Sequence, residues 1–296
     1  MPWWLRICAK MVLSRLPISY SSWKRLRLFE HGVMNQPQMA WDIFLEHATS
    51  AGLVNVRSPS PQFIGANNNF SVLEFGPGDS LFSAVIAHSL GASHTWMVDV
   101  ATFATQDMAA YSALFDVLRS KGLKLPFKEI PSTVDEVINL CNGEYLTNGV
   151  KSFAQIPSAS LDFCFSNAAL EHVRKEDFSL LVSELFRVLK PGGVCVHRVD
   201  LKDHLGGRLN NLRFSEVTWE GALFRESGFY TNRIRFGEMV SMFTDTGFDC
   251  HLPRVTRWSE LPLSRTRLAE QFQCLTDLDL LVSGFDIVLR HKDTPI

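Results

Sequence analysis

Residues that could bind a nucleoside stand at two places in the sequence. The stretch LEFGPGDS, residues 73–80, places the acid Glu74 just before a turn that contains Gly76 and Gly78. Because glycine has no side chain, the backbone N–H groups of this turn can approach a ligand closely. Asp99 lies 25 positions after Glu74, where a carboxylate can accept hydrogen bonds from both ribose hydroxyls of an adenine nucleoside. The pattern indicates a nucleoside site, although a glycine turn alone is also found in α/β proteins without one.

Three residues further along the chain could take up a proton. His172 follows Glu171 in the segment LEHV, and Asp200 and His204 follow the apolar run GVCVHRV. Imidazole and carboxylate groups can act as general bases towards a hydroxyl acceptor. A structural alternative stays open in each case. Glu171 and His172 could form a helix start that shapes the pocket, and Asp200 and His204 could be exposed loop residues.

The cysteines and histidines do not show the spacing of a metal site. The six cysteines are scattered without a C-x-x-C pair, and the nine histidines show neither H-x-x-x-H nor H-E-x-x-H. We therefore expect no bound metal and no disulfide framework. Reduced, buried thiols are the expectation for a cytosolic protein.

Alternating strands and helices are predicted to position these residues. The predicted strands are FSVLEF at 70–75, HTWMVDV at 94–100, SLDFCFSN at 160–167, GVCVHRVDL at 193–201 and SGFDIVLRHK at 283–292. The predicted helices occupy residues 37–51, 80–91, 106–120, 133–140, 177–190 and 233–247. KSFAQI, residues 151–156, is expected to form a strand or to lead into one. This alternation predicts an α/β fold with a doubly wound, mostly parallel sheet, whose ligands bind at the carboxyl ends of the strands.

The helix after the first strand has a capping signal at each end. Asp79 or Ser80 is expected to cap its first turn, and Gly91 is expected to end it.

NAD and S-adenosylmethionine both remain possible ligands for such a sheet. The dinucleotide fingerprint requires a third glycine at position 81, where this chain has Leu81. The Tyr20/Lys24 spacing of short-chain dehydrogenases precedes the glycine turn, so it is interpreted as coincidence. The E-x-G-x-G order suits a ligand without a pyrophosphate.

Four motifs in order then resemble class I S-adenosylmethionine-dependent methyltransferases, particularly the small-molecule group called type 11. The motifs are LEFGPGDS, the acid Asp99, DFCFSNAALEHV and the KPGG turn before the fifth strand. The resemblance implies a Rossmann-like seven-stranded sheet whose last strand is antiparallel and inserted between its neighbours. It also implies S-adenosylmethionine as cofactor, with binding residues Glu74, Gly76, Pro77, Gly78, Asp99, Val100, Asn167 and Ala168.

The resemblance also implies a role for each part of this site. The backbone of Gly76 and Gly78 would support the methionine and ribose part, and Glu74 would orient the methionine amino group, directly or through water. Asp99 would hold the ribose, and Asn167 and Ala168 would line the pocket near the methionine portion. The adenine contact is left open among three candidates, which are Asn148, Gly149 and Val150.

The reaction predicted from the resemblance is methylation of a small molecule or glycan, on oxygen. Ser166-Asn167-Ala168 replaces an N-P-P-Y motif, which disfavours methylation of DNA adenine or glutamine. The alternatives are an NAD-dependent oxidoreductase and a non-catalytic cofactor-binding partner subunit. The net charge of −2, without recurring basic blocks, argues against nucleic acid as a partner.

Two domains are predicted, a helical extension at 1–60 and the catalytic domain at 61–296. The basic and aromatic N-terminus could lie on an anionic membrane, or it could pack on its own domain, so a cytoplasmic protein with possible membrane association is expected. Residues 202–231 are expected to cover the acceptor site. The notable side chains of this cover are Arg208, Arg213, Trp219 and Arg225. These arginines could bind phosphate or carboxylate groups, as in a lipid-linked or phosphorylated sugar, or they could be solvated.

Overall fold

The computed structural model of the chain describes Leu5, Ile7 and residues 35–55, 62–63 and 69–292. Most of the predicted N-terminal extension lies outside these residues, and so does the segment proposed to touch a membrane. Among the described helices, none is both long and apolar enough to cross a bilayer.

The described strands and helices alternate through most of the chain. The strands are β1 (Val54–Asn55), β2 (Gln62–Phe63), β3 (Phe70–Phe75), β4 (Ala92–Val98), β5 (Gly143–Leu146), β6 (Leu161–Asn167), β7 (Leu189–Asp200), β8 (Phe248–Arg257) and β9 (Val282–His291). The α-helices are α1 (Pro37–Ser50), α2 (Phe82–Ser89), α3 (Met108–Ser120), α4 (Val134–Leu140), α5 (Lys175–Val188), α6 (Glu216–Trp219), α7 (Ala222–Arg225), α8 (Phe236–Thr246), α9 (Glu270–Gln273) and α10 (Asp277–Leu280). Short 3₁₀ helices occupy Gly149–Gln155, Leu170–His172, Asn210–Arg213 and Arg265–Arg267.

The main sheet has seven strands in the order β5-β4-β3-β6-β7-β9-β8. Neighbouring strands from β5 to β7 are parallel, whereas β9 pairs antiparallel with both β7 and β8. This topology confirms the predicted Rossmann-like sheet, including its inserted antiparallel last strand. The strand order reverses between β3 and β6, which is the point where doubly wound sheets bind ligands.

The sheet is buried because helices cover both of its faces. On one face, Val72 and Phe163 pack with apolar residues of α1, α2 and α3. On the other face, Leu73 and Cys164 pack with residues of α5 and α8. Neighbouring residues of a strand point to opposite faces, so a continuous apolar run such as FSVLEF is the pattern of a strand with two covered faces.

Two insertions follow strands at the carboxyl edge of the sheet. The first insertion, residues 201–235, follows β7, and the second, residues 258–281, follows β8. They share an apolar cluster formed by Leu209, Leu212, Leu263, Leu268, Phe272 and Leu280. The N–H of Ala269 also donates to the carbonyl of Leu212 at 2.8 Å. The insertions therefore form one packed unit above the sheet edge.

The third strand of the sheet along the chain, β5, was not predicted. Residues 151–155 do not form a strand, which was the first of the two expectations for this segment; they belong to a 3₁₀ helix that lies between β5 and β6. The 3₁₀ turn forms because the N–H of Asn148 donates to the hydroxyl of Ser152 at 3.0 Å. Gly149 also has a φ of +56° there, which a strand does not allow.

The predicted cap of α2 was also wrong. The helix begins at Phe82 without a side-chain cap, and Asp79 and Ser80 are buried before it. The hydroxyl of Tyr111, from α3, accepts a hydrogen bond from the N–H of Leu81 at 3.2 Å. A tertiary contact thus satisfies an amide at the helix start that the local sequence was expected to satisfy. Gly91 follows the helix with a φ of +101°, as predicted.

Candidate functional site

The turn after β3 is shaped by its two glycines. Gly76 and Gly78 have φ values of +77° and +63°, a region that side chains disfavour. The N–H of Gly76 donates to the carbonyl of Val98 at 2.8 Å, which ties the turn to the end of β4. A Cβ atom on Gly76 would lie 2.4 Å from the Cβ of Ala169. The turn therefore packs against the exit of β6 and leaves no room for a side chain at this position.

Asp99 connects the turn to the end of the neighbouring strand. Its Oδ2 accepts from the N–H of Gly78 at 3.0 Å, and its Oδ1 accepts from the N–H of Val100 at 2.7 Å. Burial raises the pKa of Asp99, and these two hydrogen bonds oppose that rise. A carboxylate has about four lone-pair sites, so each oxygen can accept a further hydrogen bond from a ligand hydroxyl.

Glu74 lies beneath the turn, with only 1% of its surface exposed. The hydroxyl of Ser83 in α2 donates to its Oε2. Burial raises the pKa of Glu74 to about 7. The structure thus places Glu74 where it supports the turn from below, and the predicted role in orienting a ligand amino group stays a prediction.

The residues after Asp99 form an apolar rim beside it. Val100 is an exposed apolar residue, with 68% of its surface accessible. The N–H of Gly149 donates to the carbonyl of Asp99 at 2.8 Å, so the turn after β5 lies next to Val100. Of the candidates for an adenine contact, Asn148 is exposed and Val150 is buried in the core. Gly149 is buried as well, so Asn148 is the best placed of the three.

The exit of β6 contains the predicted residues Asn167 and Ala168. Ala168 has a φ of +53°, which is uncommon for a residue with a side chain, and its N–H donates to the carbonyl of Arg198 at 2.9 Å. The Oδ1 atom of Asn167 is buried, and no hydrogen-bond partner for it lies within the described residues. An unpaired buried amide oxygen of this kind is a place where a ligand donor could bind.

The structure brings together two of the three predicted bases. The Nε2 atoms of His172 and His204 are 3.2 Å apart. Their ring planes lie within 10° of parallel, with centroids 4.9 Å apart. The Nδ1 atom of His172 is 3.1 Å from the carbonyl oxygen of Tyr230. Because a carbonyl can only accept, this contact assigns a proton to Nδ1 and leaves Nε2 of a neutral His172 to accept from His204.

The third predicted base, Asp200, is directed towards Lys202. Its Oδ1 accepts from the N–H of Lys202 at 2.9 Å, and its Oδ2 lies 3.4 Å from the Lys202 ammonium. Asp200 thus has a backbone donor on one oxygen and a cationic neighbour beside the other. Its role as a base stays a prediction that the geometry favours less than the histidine pair.

Glu171 has a buried carboxyl group that the sequence did not reveal. Neither carboxyl oxygen has a well-formed hydrogen bond to a described residue, although the main-chain N–H groups of Glu171 and Asp200 lie near the carboxyl group. Burial, with the charge of Asp200 as a smaller cause, raises the pKa of Glu171 to about 8. The N–H of Asn232 donates to the Glu171 carbonyl at 2.8 Å, which attaches the first insertion to the exit of β6. This agrees with the structural alternative for the LEHV segment.

The predicted cover residues have different surroundings. Arg208 and Arg213 line a cavity between the two insertions, together with Arg267, which the sequence analysis missed. Arg225 is ion-paired with Glu176 on α5. Trp219 is fully buried in a small apolar cluster, so it holds the insertion together and does not face a ligand.

A cluster of potential metal ligands lies in the core. Ligand atoms of Cys164, Cys195 and His197 all lie within 4.8 Å of one another. Spacing along the chain could not show this, because Cys164 and Cys195 are register partners on the neighbouring strands β6 and β7. Burial raises the pKa of the Cys164 thiol well above its ordinary value. The expectation of no bound metal stays a prediction.

Comparison with known proteins gives a match to one family model. The model described as "Methyltransferase domain" matches residues 136–197, about a fifth of the chain. The matched segment runs from α4 into β7 and contains the LEHV and KPGG motifs. The match confirms the resemblance to methyltransferases over this segment. Comparison with curated protein sequences gives no significant match.

Solved structures similar to this chain include several methyltransferases. An S-adenosylmethionine-dependent methyltransferase from Methanosarcina mazei is 20% identical, with 76% of this chain and 94% of that chain covered and a TM-score of 0.42. A putative O-methyltransferase from Nostoc punctiforme is 15% identical, with 97% and 67% covered and a TM-score of 0.42. An S-adenosylmethionine-dependent methyltransferase from Mesorhizobium loti is 15% identical, with 75% and 91% covered and a TM-score of 0.41. These scores are too low to carry a conclusion about function.

Proposed function

We propose that this protein transfers a methyl group from S-adenosylmethionine to a hydroxyl oxygen of a small-molecule or glycan acceptor. The observation that carries the proposal is the contact between Asp99 and Gly78 at the carboxyl edge of β3 and β4. It joins an acid suited to a ribose and a bare backbone turn at the ligand-binding edge of a doubly wound sheet. The family match over residues 136–197 supports the same reaction class.

The residues at this edge fit the cofactor. The carboxylate of Asp99 keeps acceptor capacity for ribose hydroxyls, and the turn has no side chain at Gly76 or Gly78 to block a ligand. The exposed apolar side chain of Val100 offers a surface for the adenine ring. The buried amide oxygen of Asn167 could accept from the methionine amino group.

When bound, S-adenosylmethionine supplies an electrophilic methyl group on a sulfonium that is already a good leaving group. The protein then needs to orient the acceptor, exclude water and receive the proton of the hydroxyl. The first insertion covers the sheet edge beside the exits of β6 and β7, so it is the part of the chain suited to exclude water.

The proton would go to the pair formed by His172 and His204. With Nδ1 of His172 donating to Tyr230, the pair holds one proton between its two Nε2 atoms in the neutral state. A second proton, taken from the acceptor hydroxyl, would bind Nδ1 of His204, since both Nε2 atoms already share the first proton, and the positive charge would be shared with His172 through the Nε2 contact. The carbonyl of Tyr230 also stabilises a positive charge on His172.

Isothermal titration calorimetry with S-adenosylhomocysteine and with NAD tests the cofactor. We expect binding of S-adenosylhomocysteine only. Leu81, which is 3% exposed, occupies the position of the third glycine in dinucleotide-binding proteins. Binding of NAD alone would replace the proposal with an oxidoreductase.

Mass spectrometry of acceptor panels tests turnover. A gain of one methyl group on a hydroxyl acceptor is the expected product. Cofactor binding without turnover across phenols, sugars and phosphorylated sugars would favour a non-catalytic partner subunit.

A further inference from the structure

A cavity of about 730 Å³ lies between the two insertions. Small-molecule sites have volumes of ~300–1,000 Å³, so the cavity is large enough for a metabolite or a large part of one. Its lining from the first insertion is Leu205, Gly206, Arg208, Asn210 and Arg213, and its lining from the second is Pro262, Leu263, Ser264, Thr266 and Arg267. The strands β7 and β8 run in the same direction, because each pairs antiparallel with β9. Both insertions therefore begin at the carboxyl edge of the sheet, where Asp99 and the glycine turn also lie.

Three arginines give this cavity a positive wall. Arg208 and Arg267 are exposed and Arg213 is half-buried, and no acidic residue is found among the described residues of the lining. Burial lowers the pKa of Arg213, and the positive charge of Arg267 lowers it further, while Asp203 opposes this. An anion bound between these guanidinium groups would relieve their repulsion.

Three of the four other arginines of the two insertions face carboxylates, and the fourth, Arg235, donates to main-chain carbonyls. The ion pairs are Arg225 with Glu176, Arg233 with Glu216 and Arg265 with Asp277. No carboxylate oxygen of the described residues lies within 4.0 Å of a guanidinium nitrogen of Arg208 or Arg267, which is the distance limit for an ion pair. The positive charge is therefore concentrated at the cavity and largely compensated elsewhere in the insertions.

The loop that presents these arginines is held by Asp203. This carboxylate is 3% exposed, and its two oxygens accept from the N–H groups of Leu205 and Asn210. The N–H of Asp203 donates to the carbonyl of Arg208 at 2.9 Å. Backbone donors engage the Asp203 carboxylate beneath the loop, so this side chain fixes the loop, and its negative charge offsets part of the positive charge of Arg213.

Other polar groups of the wall suit a phosphoryl oxygen. The Oδ1 of Asn210 accepts from Nε of Arg213 at 3.0 Å, which orients the Arg213 guanidinium. The hydroxyls of Ser264 and Thr266 are 3.0 Å apart on the opposite side of the lining. Guanidinium forks bind phosphates with paired hydrogen bonds, and hydroxyls add further donors.

We propose that the cavity lined by Arg208, Arg213 and Arg267 binds a phosphoryl group, as a monophosphate or diphosphate, of the molecule that is methylated. This inference rests on the proposed function, because it makes the cavity a subsite of the acceptor. His204 directly precedes the lining residue Leu205, so the cavity wall begins one residue along the chain from the histidine pair. A phosphoryl group carries ~1.5–2 negative charges, more than a single carboxylate, and so suits three cationic side chains better.

Calorimetric titration of the full chain with pyrophosphate tests this subsite. We expect one site per chain, weakened by added salt. Arg267→Gln removes an exposed cavity arginine with little risk to folding and is expected to raise the Kd at least about tenfold, as for loss of a hydrogen bond to a charged group. Arg208→Gln is expected to act similarly. Arg225→Gln is the matched control, because Arg225 belongs to the first insertion but pairs with Glu176.

Three outcomes would overturn the subsite. The first is that the wild-type chain does not bind pyrophosphate. The second is that Arg267→Gln and Arg225→Gln lose binding equally, and the third is that citrate binds more tightly than pyrophosphate. Sedimentation with phosphatidylglycerol vesicles separates the sources of the phosphoryl group. Vesicle binding without pyrophosphate binding would contradict a small-molecule subsite.

Titration with S-adenosylhomocysteine on the same variants separates the two proposals. If an arginine variant loses pyrophosphate binding but keeps the wild-type affinity for S-adenosylhomocysteine, the result supports both the cofactor site and the separate phosphoryl subsite. Absence of S-adenosylhomocysteine binding in the wild-type chain would remove the proposed function, whereas pyrophosphate binding would still establish the anion site.

Discussion

The carboxylate of Asp99 holds the glycine turn through the N–H of Gly78, with 3.0 Å between oxygen and nitrogen. The same side chain accepts from the N–H of Val100. One acid thus fixes the geometry of the turn after β3 and faces the place proposed for a ribose. Loss of this carboxylate should therefore affect both folding stability and ligand affinity.

Asp99→Ala is expected to weaken S-adenosylhomocysteine binding by about 1–3 kcal/mol, because ribose hydroxyls would lose a charged acceptor. It should also lower the free energy of unfolding by about 1–2 kcal/mol, since two backbone N–H groups lose their partner. Calorimetry and urea unfolding measure the two effects. Asp116→Ala, at an exposed site on α3, is the control. Unchanged affinity in a folded Asp99→Ala variant would refute the ribose contact.

Gly76→Ala is expected to destabilise the fold more than Gly192→Ala. Both glycines have positive φ values, +77° and +85°, so both substitutions cost about 1–2 kcal/mol of backbone strain. The new Cβ at position 76 would meet the Cβ of Ala169 at 2.4 Å, whereas a new Cβ at position 192 would meet no atom of the described residues within 4 Å beyond its chain neighbours. Overpacking should add about 1–3 kcal/mol at Gly76. Equal unfolding free energies for the two variants would contradict the packing of the turn on Ala169.

His172→Gln and His204→Gln are expected to lower kcat by about 10²–10⁴-fold with little change in KM for the cofactor, because they remove the proposed proton acceptor. The double variant should lose little more than either single variant, since the two rings act as one base. His251→Gln, at an exposed position of β8, is the control. Full activity in both single variants would show that the proton leaves by another route.

Glu171→Gln is expected to stabilise the protein increasingly as pH rises. Burial raises the folded-state pKa of Glu171 from 4.5 to about 8. The folded state therefore holds this proton between those values while the unfolded state loses it. The wild-type protein should lose stability relative to Glu171→Gln across that window, with a limiting slope of about 1.4 kcal/mol per pH unit. Urea unfolding of both proteins at pH 5 and pH 8 measures the difference.

The matched control for this measurement is Glu260→Gln, because Glu260 is exposed. Its stability relative to the wild type should be the same at both pH values. A constant difference for Glu171→Gln as well would mean that its carboxyl group is solvated in the folded protein.

A chelator is expected to leave the thermal stability of the protein unchanged. The thiols of Cys164 and Cys195 and the ring of His197 are close together, but among the described residues they supply only three donor atoms. A structural zinc site has four protein ligands. Native mass spectrometry should therefore give the mass of the apoprotein. A mass that includes zinc, lost together with stability on treatment with EDTA, would show a structural metal site.

Much of the fold follows from local patterns in the sequence. FSVLEF was predicted as a strand with the bounds that β3 has, because a short apolar run between turn residues has few alternatives. By contrast, β5 contains only GEYL and lies at the edge of the sheet, so its burial signal is weak. KSFAQI has an apolar pattern but follows Gly149, whose left-handed conformation is set by contacts with Asp99.

Site residues that directly follow a strand of the sheet could be predicted from the sequence. Asp99 and the glycine turn follow their strands directly, so the sheet itself brings them together. The contact between His172 and His204 joins residues from different loops, and Arg267 enters the cavity from an insertion 54 positions beyond Arg213. Contacts of this kind depend on how the two insertions pack, which spacing along the chain does not encode.

The apolar cluster shared by the two insertions determines which segments must be exchanged together if the acceptor preference is to be changed. Leu212 comes from one insertion and Leu263 and Phe272 from the other, so both insertions contribute to a common interior. Transplanting either insertion alone into a related scaffold would expose its apolar cluster residues to water. Only a joint graft of residues 201–235 and 258–281 should carry selectivity with it, so the pair behaves as a single exchangeable module.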